Sequence, residues 1–242
     1  MKEWFMTKNG EPFSIFGTSH LIMLSLFFMS VFFILYFRNE IRSNNKVIQT
    51  LRWLLFILLI GSELTYQSWT AVHGIWKDNL PFHLCGIASL TGALALLTLN
   101  KKLIAITFFI GLVPAFAATI TPELPYDFPN FRFFKFFIHH MAISLTSIFL
   151  ATMKPYTITV KSMLWTYLYL VLYALITGFF INPWLEANYL YLSDTPTTNS
   201  PLDLLGDGFW YPINLGMLGI IVFSIQYLCF YSLRKRKAPT IR

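Results

Sequence analysis

Seven side chains able to take up a proton, attack a carbonyl or ligate a metal stand out in an apolar sequence: His20, Glu63, His73, His83, Cys85, His139 and His140. All fall near one end of long hydrophobic runs, and polar groups are costly inside hydrocarbon, so a chain that gathers them in one layer uses that layer. Glu63, Tyr66, Gln67 and Thr70 recur at i, i+3, i+4 and i+7, which sets them on one stripe of a helix. Cys85 follows Pro81 in the first turn of its run, where the positive end of a helix dipole and the nearby His83 favour thiolate. His139 and His140 lie one or two turns into theirs and point about 100° apart, so one of the two faces the centre. Ser19-His20 opens the first run, and Tyr211 with Asn214 opens the last.

A thiolate opposite an imidazole is a nucleophile and base for acyl transfer, and Glu63 or Tyr66 would orient the imidazole or donate to an oxyanion. The remaining residues, His20, Tyr66, Gln67, His83, His139, Tyr211 and Asn214, would line the substrate. Plainer roles exist for each: Glu63 as a structural acid, Cys85 as a small packing residue, His73 as a solvated loop side chain beside Trp76, Lys77 and Asp78. His83-x-Cys85 has the look of half a metal site. Residues two apart on a helix diverge by about 200°, however, so no metal is expected, nor any other cofactor. No P-loop, dinucleotide-binding turn or His-Glu-x-x-His stands anywhere, and the last run has no lysine for a retinal Schiff base before Arg234.

The elements that position this layer are membrane helices. Of 242 residues, 56% are hydrophobic and only 12% charged, against about 25% in a soluble domain. Runs of about 20 apolar residues suffice to span a bilayer, and they predict seven spans: Thr18–Phe37, Leu51–Thr70, Phe82–Leu99, Leu103–Thr121, Lys135–Met153, Val160–Ile181 and Phe209–Ser232. The fold class expected is an all-α polytopic membrane protein, one transmembrane domain over residues 1–242. With seven spans, thirteen Lys and Arg fall on one side and five on the other. Basic residues stay cytoplasmic, so the N-terminus is predicted outside, the C-terminus inside and the polar layer outward-facing. The basic excess is thus topological and says nothing of nucleic acid. The first run lacks a small-x-small cleavage site and is followed by Arg38-Asn39-Glu40, so it is expected to remain as a span. Cys85 and Cys229 lie about a membrane thickness apart and are expected to stay free thiols.

Pro122, Pro125 and Pro129 precede the aromatic-basic stretch Phe131-Arg132-Phe133-Phe134-Lys135-Phe136-Phe137. It reads as an interfacial belt with Arg132 and Lys135 reaching phosphates, or as a lateral portal for lipid.

Phe82-His83-Leu84-Cys85-Gly86, Phe137-Ile138-His139-His140-Met141, and Asn188-Tyr189-Leu190-Tyr191-Leu192 with Ser200-Pro201-Leu202-Asp203-Leu204-Leu205-Gly206 and Trp210-Tyr211-Pro212 resemble the YwaF-type family of bacterial integral membrane proteins. That family is distantly similar to a eukaryotic multipass acyltransferase that remodels ether phospholipids with a Cys and a His. The resemblance implies Cys85 as nucleophile, His140 as base, membrane lipids as partners and the bacterial plasma membrane as location. The function expected is transfer or hydrolysis of lipid acyl groups. The alternatives are a sensor or accessory subunit binding a lipid or small ligand, and a proton-coupled transporter using Glu63 and the histidines.

Overall fold

The computed structural model describes residues 2–7, 10–195 and 201–235. Its principal elements are α1 (Thr18–Tyr36), α2 (Arg38–Ser43), α3 (Asn45–Val72), α4 (Leu84–Thr98), α5 (Lys101–Ile120), α6 (Phe131–Met153), α7 (Val160–Ile176), α8 (Asn182–Leu185) and α9 (Trp210–Lys235). Among the described residues there is no strand, as a chain that must satisfy its own backbone in lipid requires. Several helices start on polar caps. Asn44 accepts from the Lys46 and Val47 amides, Asn100 from Lys102 and Leu103, Asn130 from Arg132, and Thr159 forms a reciprocal capping box with Ser162.

Among the described residues six helices are long and apolar enough to cross a membrane: α1, α3, α5, α6, the continuous stretch Val160–Leu185 and α9. The third expected span is shorter than Phe82–Leu99. Helix occupies 15 residues, Leu84–Thr98, because His83 is already an extended N-cap and Leu99 turns left-handed at φ 52° to start the hairpin into α5. The second span begins earlier than expected, at Asn45, and α2 forms a short turn before it. The sixth runs on past Ile181. A π-helical turn, Thr177–Ile181, links α7 to α8, so the start of the expected loop at Asn182 is helical. The basic tail Arg236, Lys237 and Arg242, like Ser200, lies outside the described residues.

The core is the seam of α4, α5 and α6, with α3 packed across it. Lipid-like surroundings offer helices no hydrophobic drive to associate, so close approach through small residues must hold them. Gly92, Gly111, Ala88, Ala93, Ala95, Ala115, Ala142 and Ala151 line the seam beside Ser144, Thr146 and Ser147. A Cβ on Gly111 would stand 2.7 Å from Ser147 Oγ, whose hydroxyl donates to the carbonyls of Thr107 and Ile143. Thr107 and Thr146 both press on Gly92, and their own hydroxyls have no partner in the buried seam among the described residues. The outer helices α1, α7 and α9 turn Phe32, Phe33, Leu164, Trp165, Ile221 and Leu228 outward, the reverse of a soluble surface.

The start of α4 is set by one contact. A Cβ on Gly86 would lie 2.5 Å from the Pro81 carbonyl oxygen, so the Pro81 loop folds directly onto the first turn. Gly86→Ala is expected to lower stability by about 1–3 kcal/mol, read as a fall in the thermal midpoint of detergent-purified protein. Gly61→Ala, which meets nothing within 4 Å, should leave the midpoint unchanged or slightly raised.

Candidate functional site

The site lies where α3, α4 and α6 meet at the end of the bundle that carries the α4 N-terminus. The predicted α3 stripe exists. Glu63 is buried, and its Oε1 accepts from Gln67 Nε2 at 2.7 Å. Gln67 Nε2 also donates to the Asn79 carbonyl at 2.8 Å. Tyr66 donates its hydroxyl proton to Asn79 Oδ1 at 2.5 Å, and Asn79 in turn donates to Ile75. The loop that follows α3 is thereby tied to the stripe.

Of the two adjacent histidines, His139 faces this stripe. Its Nδ1 lies 2.9 Å from Ser62 Oγ, and Ser62 also donates to the Leu59 carbonyl. The Ser62 hydroxyl and Nδ1 thus share one hydrogen bond, whose donor is set by the tautomer of the ring. Nε2 has no hydrogen-bond partner among the described residues; Glu63 Oε2 is 3.9 Å away. The His139 ring also lies against the Cys85 backbone. His140, to which the resemblance points, is buried with Nδ1 on the Phe136 carbonyl at 2.8 Å and its ring 4.1 Å from that of Phe136.

Cys85 is half-buried in the first turn of α4, with the backbone amides of Cys85 and Gly86 facing its sulfur. Its electrostatic neighbours come from three directions: Glu63 and Tyr66 on α3, Lys135 on α6, and Tyr191 on the loop after α8. Among the described residues no hydrogen bond joins the sulfur to an imidazole, a looseness usual in sites without substrate. Cys229, on α9, is exposed.

The loop that carries Tyr191 was not foreseen as part of the site. Asn182 accepts from the Tyr189 amide and donates to the Tyr189 carbonyl, and the Tyr189 hydroxyl donates to the Lys77 carbonyl at 2.5 Å while accepting from the Leu80 amide. Leu190 and Tyr191 are left-handed at φ 61° and 52°, a strain held by these bonds. Tyr191 donates to Glu123 at 2.7 Å, and both burial and that carboxylate push its pKa up. His83 sits between the rings of Tyr189 and Tyr191, at 5.0 and 5.2 Å. The loop thus roofs the α4 N-terminus.

The other expected lining residues part company. His20 is fully buried among Phe13, Phe16 and Phe137, with Nδ1 accepting from the Phe16 amide and Nε2 donating to the Thr119 carbonyl, so both nitrogens are spent on backbone. His73 is exposed. Asn214 donates to the Leu205 carbonyl, whereas Tyr211 is buried as an electrostatic neighbour of Tyr191, its hydroxyl without a hydrogen-bond partner among the described residues.

These features define a polytopic helical membrane protein. The chain belongs to the TMEM164 family, whose model matches residues 15–227. No curated protein and no solved structure matches it.

His83 stands outside the spans, and its pKa is lowered chiefly by burial and further by Lys135, against an opposing pull from Glu123. The folded state therefore favours neutral His83. Its contribution is complete above the unfolded value of about 6.5 and is lost as pH falls through the lower folded value. Thermal midpoints measured between pH 8 and pH 5 should fall on acidification, and His83→Asn, which cannot charge, should flatten that fall.

Proposed function

We propose that the protein is a membrane enzyme that transfers or hydrolyses lipid acyl groups through a thioester on Cys85. The observation that carries this reading is the thiol at the α4 N-terminus, whose backbone lies against an imidazole with Nδ1 on Ser62 and no hydrogen-bond partner for Nε2 among the described residues. In this reading His139 takes the thiol proton. The sulfur then attacks the ester carbonyl, the backbone amides of Cys85 and Gly86 face the oxyanion, and the C–O bond breaks as the imidazolium returns its proton to the leaving alcohol. A second hydroxyl, from a lysolipid or water, reverses the sequence and frees the thiol. Glu63 steadies the imidazolium across 3.9 Å, and His140 packs behind it.

The topology that suits this chemistry takes α4 as a seventh crossing, since α3 delivers the chain to the site end and α5 leaves from the other. Thirteen basic residues against five then put the N-terminus outside and the site at the outer leaflet of a bacterial plasma membrane. Reporters fused to the two termini should give opposite sides, and two cytoplasmic readings would overturn the seven-span arrangement.

The chemistry is tested with a labelled phospholipid donor and a lysolipid acceptor. Cys85→Ser should abolish transfer, His139→Ala should lower it on the order of 100-fold, and His140→Ala should cost less. Cys85 should alkylate with maleimide faster than Cys229. Full activity in Cys85→Ser, or equal alkylation of the two thiols, sinks the nucleophile and leaves a ligand-binding site centred on Glu63. One observation favours a second reading, a proton-coupled transporter: the unpartnered hydroxyls of Thr107 and Thr146 lie deeper in the seam that holds His139. Proton-driven uptake that survives Cys85→Ser and fails in Glu63→Gln would select it.

A further inference from the structure

Lys135 is the one charged side chain at the site whose position the chemistry above does not explain. An interfacial lysine of a belt extends outward to headgroups. This one turns inward. Its Nζ lies 4.0 Å from the centre of the Tyr66 ring, and Glu63 and Cys85 are electrostatic neighbours. Arg132 stands one helical turn earlier on the same face and acts electrostatically on the Tyr66 oxygen. Two cations therefore converge on one neutral phenol.

Neither cation is balanced. Among the described residues no carboxylate lies within ion-pairing distance of Lys135 or Arg132, and no hydrogen-bond acceptor is found for the Lys135 ammonium. Glu63 does not serve: it forms no ion pair with either cation, and its Oε1 accepts from Gln67. The Tyr66 platform itself is fixed: Asn79 holds its hydroxyl, and the Trp69 ring stacks at 6.0 Å and 14°. A half-buried ammonium with three unused donors costs free energy unless an anion completes it, and a cation–π contact returns only part of that cost.

We propose that Lys135 and Arg132 form a phosphate-binding site at the mouth of the Cys85 site. Resting on the acyl-transfer reading, this assigns what holds the non-reacting end of the substrate. A phosphate there is anchored at Lys135, an electrostatic neighbour of the thiol, so an ester carried on the same molecule is presented to Cys85. The ligand chemistry is a phosphate oxyanion, supplied by a lipid headgroup or by free phosphate.

The test measures binding without turnover, in the full-length protein carrying Cys85→Ser in maltoside micelles. Native mass spectrometry counts adducts of dioctanoylphosphatidylglycerol, of dioctanoylglycerol, which lacks the phosphate, and of inorganic phosphate. The phospholipid should bind, Lys135→Gln and Arg132→Gln should each weaken it about tenfold, and dioctanoylglycerol should be insensitive to both. Lys135→Arg should retain binding, which separates a lost charge from a misfolded variant. Competition by inorganic phosphate at millimolar concentration assigns the site to free phosphate; its absence assigns the site to the headgroup. Unchanged phospholipid binding in the double Gln variant overturns the proposal. So does a Lys135→Gln protein that binds phospholipid normally yet fails to transfer acyl groups, since Lys135 would then act on the thiol. If binding behaves as expected while wild type transfers nothing, the phosphate site stands and the enzyme reading falls.

Discussion

Pro81 and Gly86 touch where only a glycine at position 86 fits. The proline's backbone occupies the space of a Cβ on residue 86, and the turn between them fixes the direction in which α4 leaves the loop. That direction places the amides of Cys85 and Gly86 against the sulfur and brings the α4 backbone under the His139 ring. Tyr173 adds a second fastening from α7 by donating to the Phe82 carbonyl at 2.8 Å. A helix start is normally free to fray. This one is clamped from two sides, and the site depends on its being so.

The deeper seam does the matching work for the helices. Ridges of glycine and alanine bring α4, α5 and α6 together closely enough for Ser147 to reach a carbonyl on α5. Gln226 does the same from α9, donating to the Phe108 carbonyl at 2.5 Å. Such interhelical bonds are worth about 1 kcal/mol each in a bilayer, so no single one holds the bundle. They fix rotation rather than stability. Rotation is what sets the two imidazoles on their separate faces, one toward Glu63 and the other toward its own helix.

Periodicity made the architecture and part of the site legible in the sequence. The Glu63–Tyr66–Gln67 stripe needed only the 3.6-residue repeat, and the layer of polar groups needed only the apolar runs around it. Choosing between His139 and His140 required the absolute rotation of α6, which is set by packing against α3 and α5 and leaves no local trace. His20 misled for a related reason: a buried imidazole with two backbone partners carries the same letter as one facing a substrate. Lys135 sat in a stretch whose composition spells an interfacial belt, and only the tertiary placement of Tyr66 turns it inward. The roof formed by Tyr189 and Tyr191 depends on bonds spanning more than 100 residues, beyond any local pattern.

The brevity of α4 has a consequence for the membrane itself. Fifteen residues rise about 22 Å, against a hydrocarbon core of about 30 Å. Leu90, Leu94 and Leu97 leave one apolar stripe of that helix exposed. A bilayer meets such hydrophobic mismatch by thinning locally. Were α4 to cross, the bilayer beside it would have to thin toward Leu84.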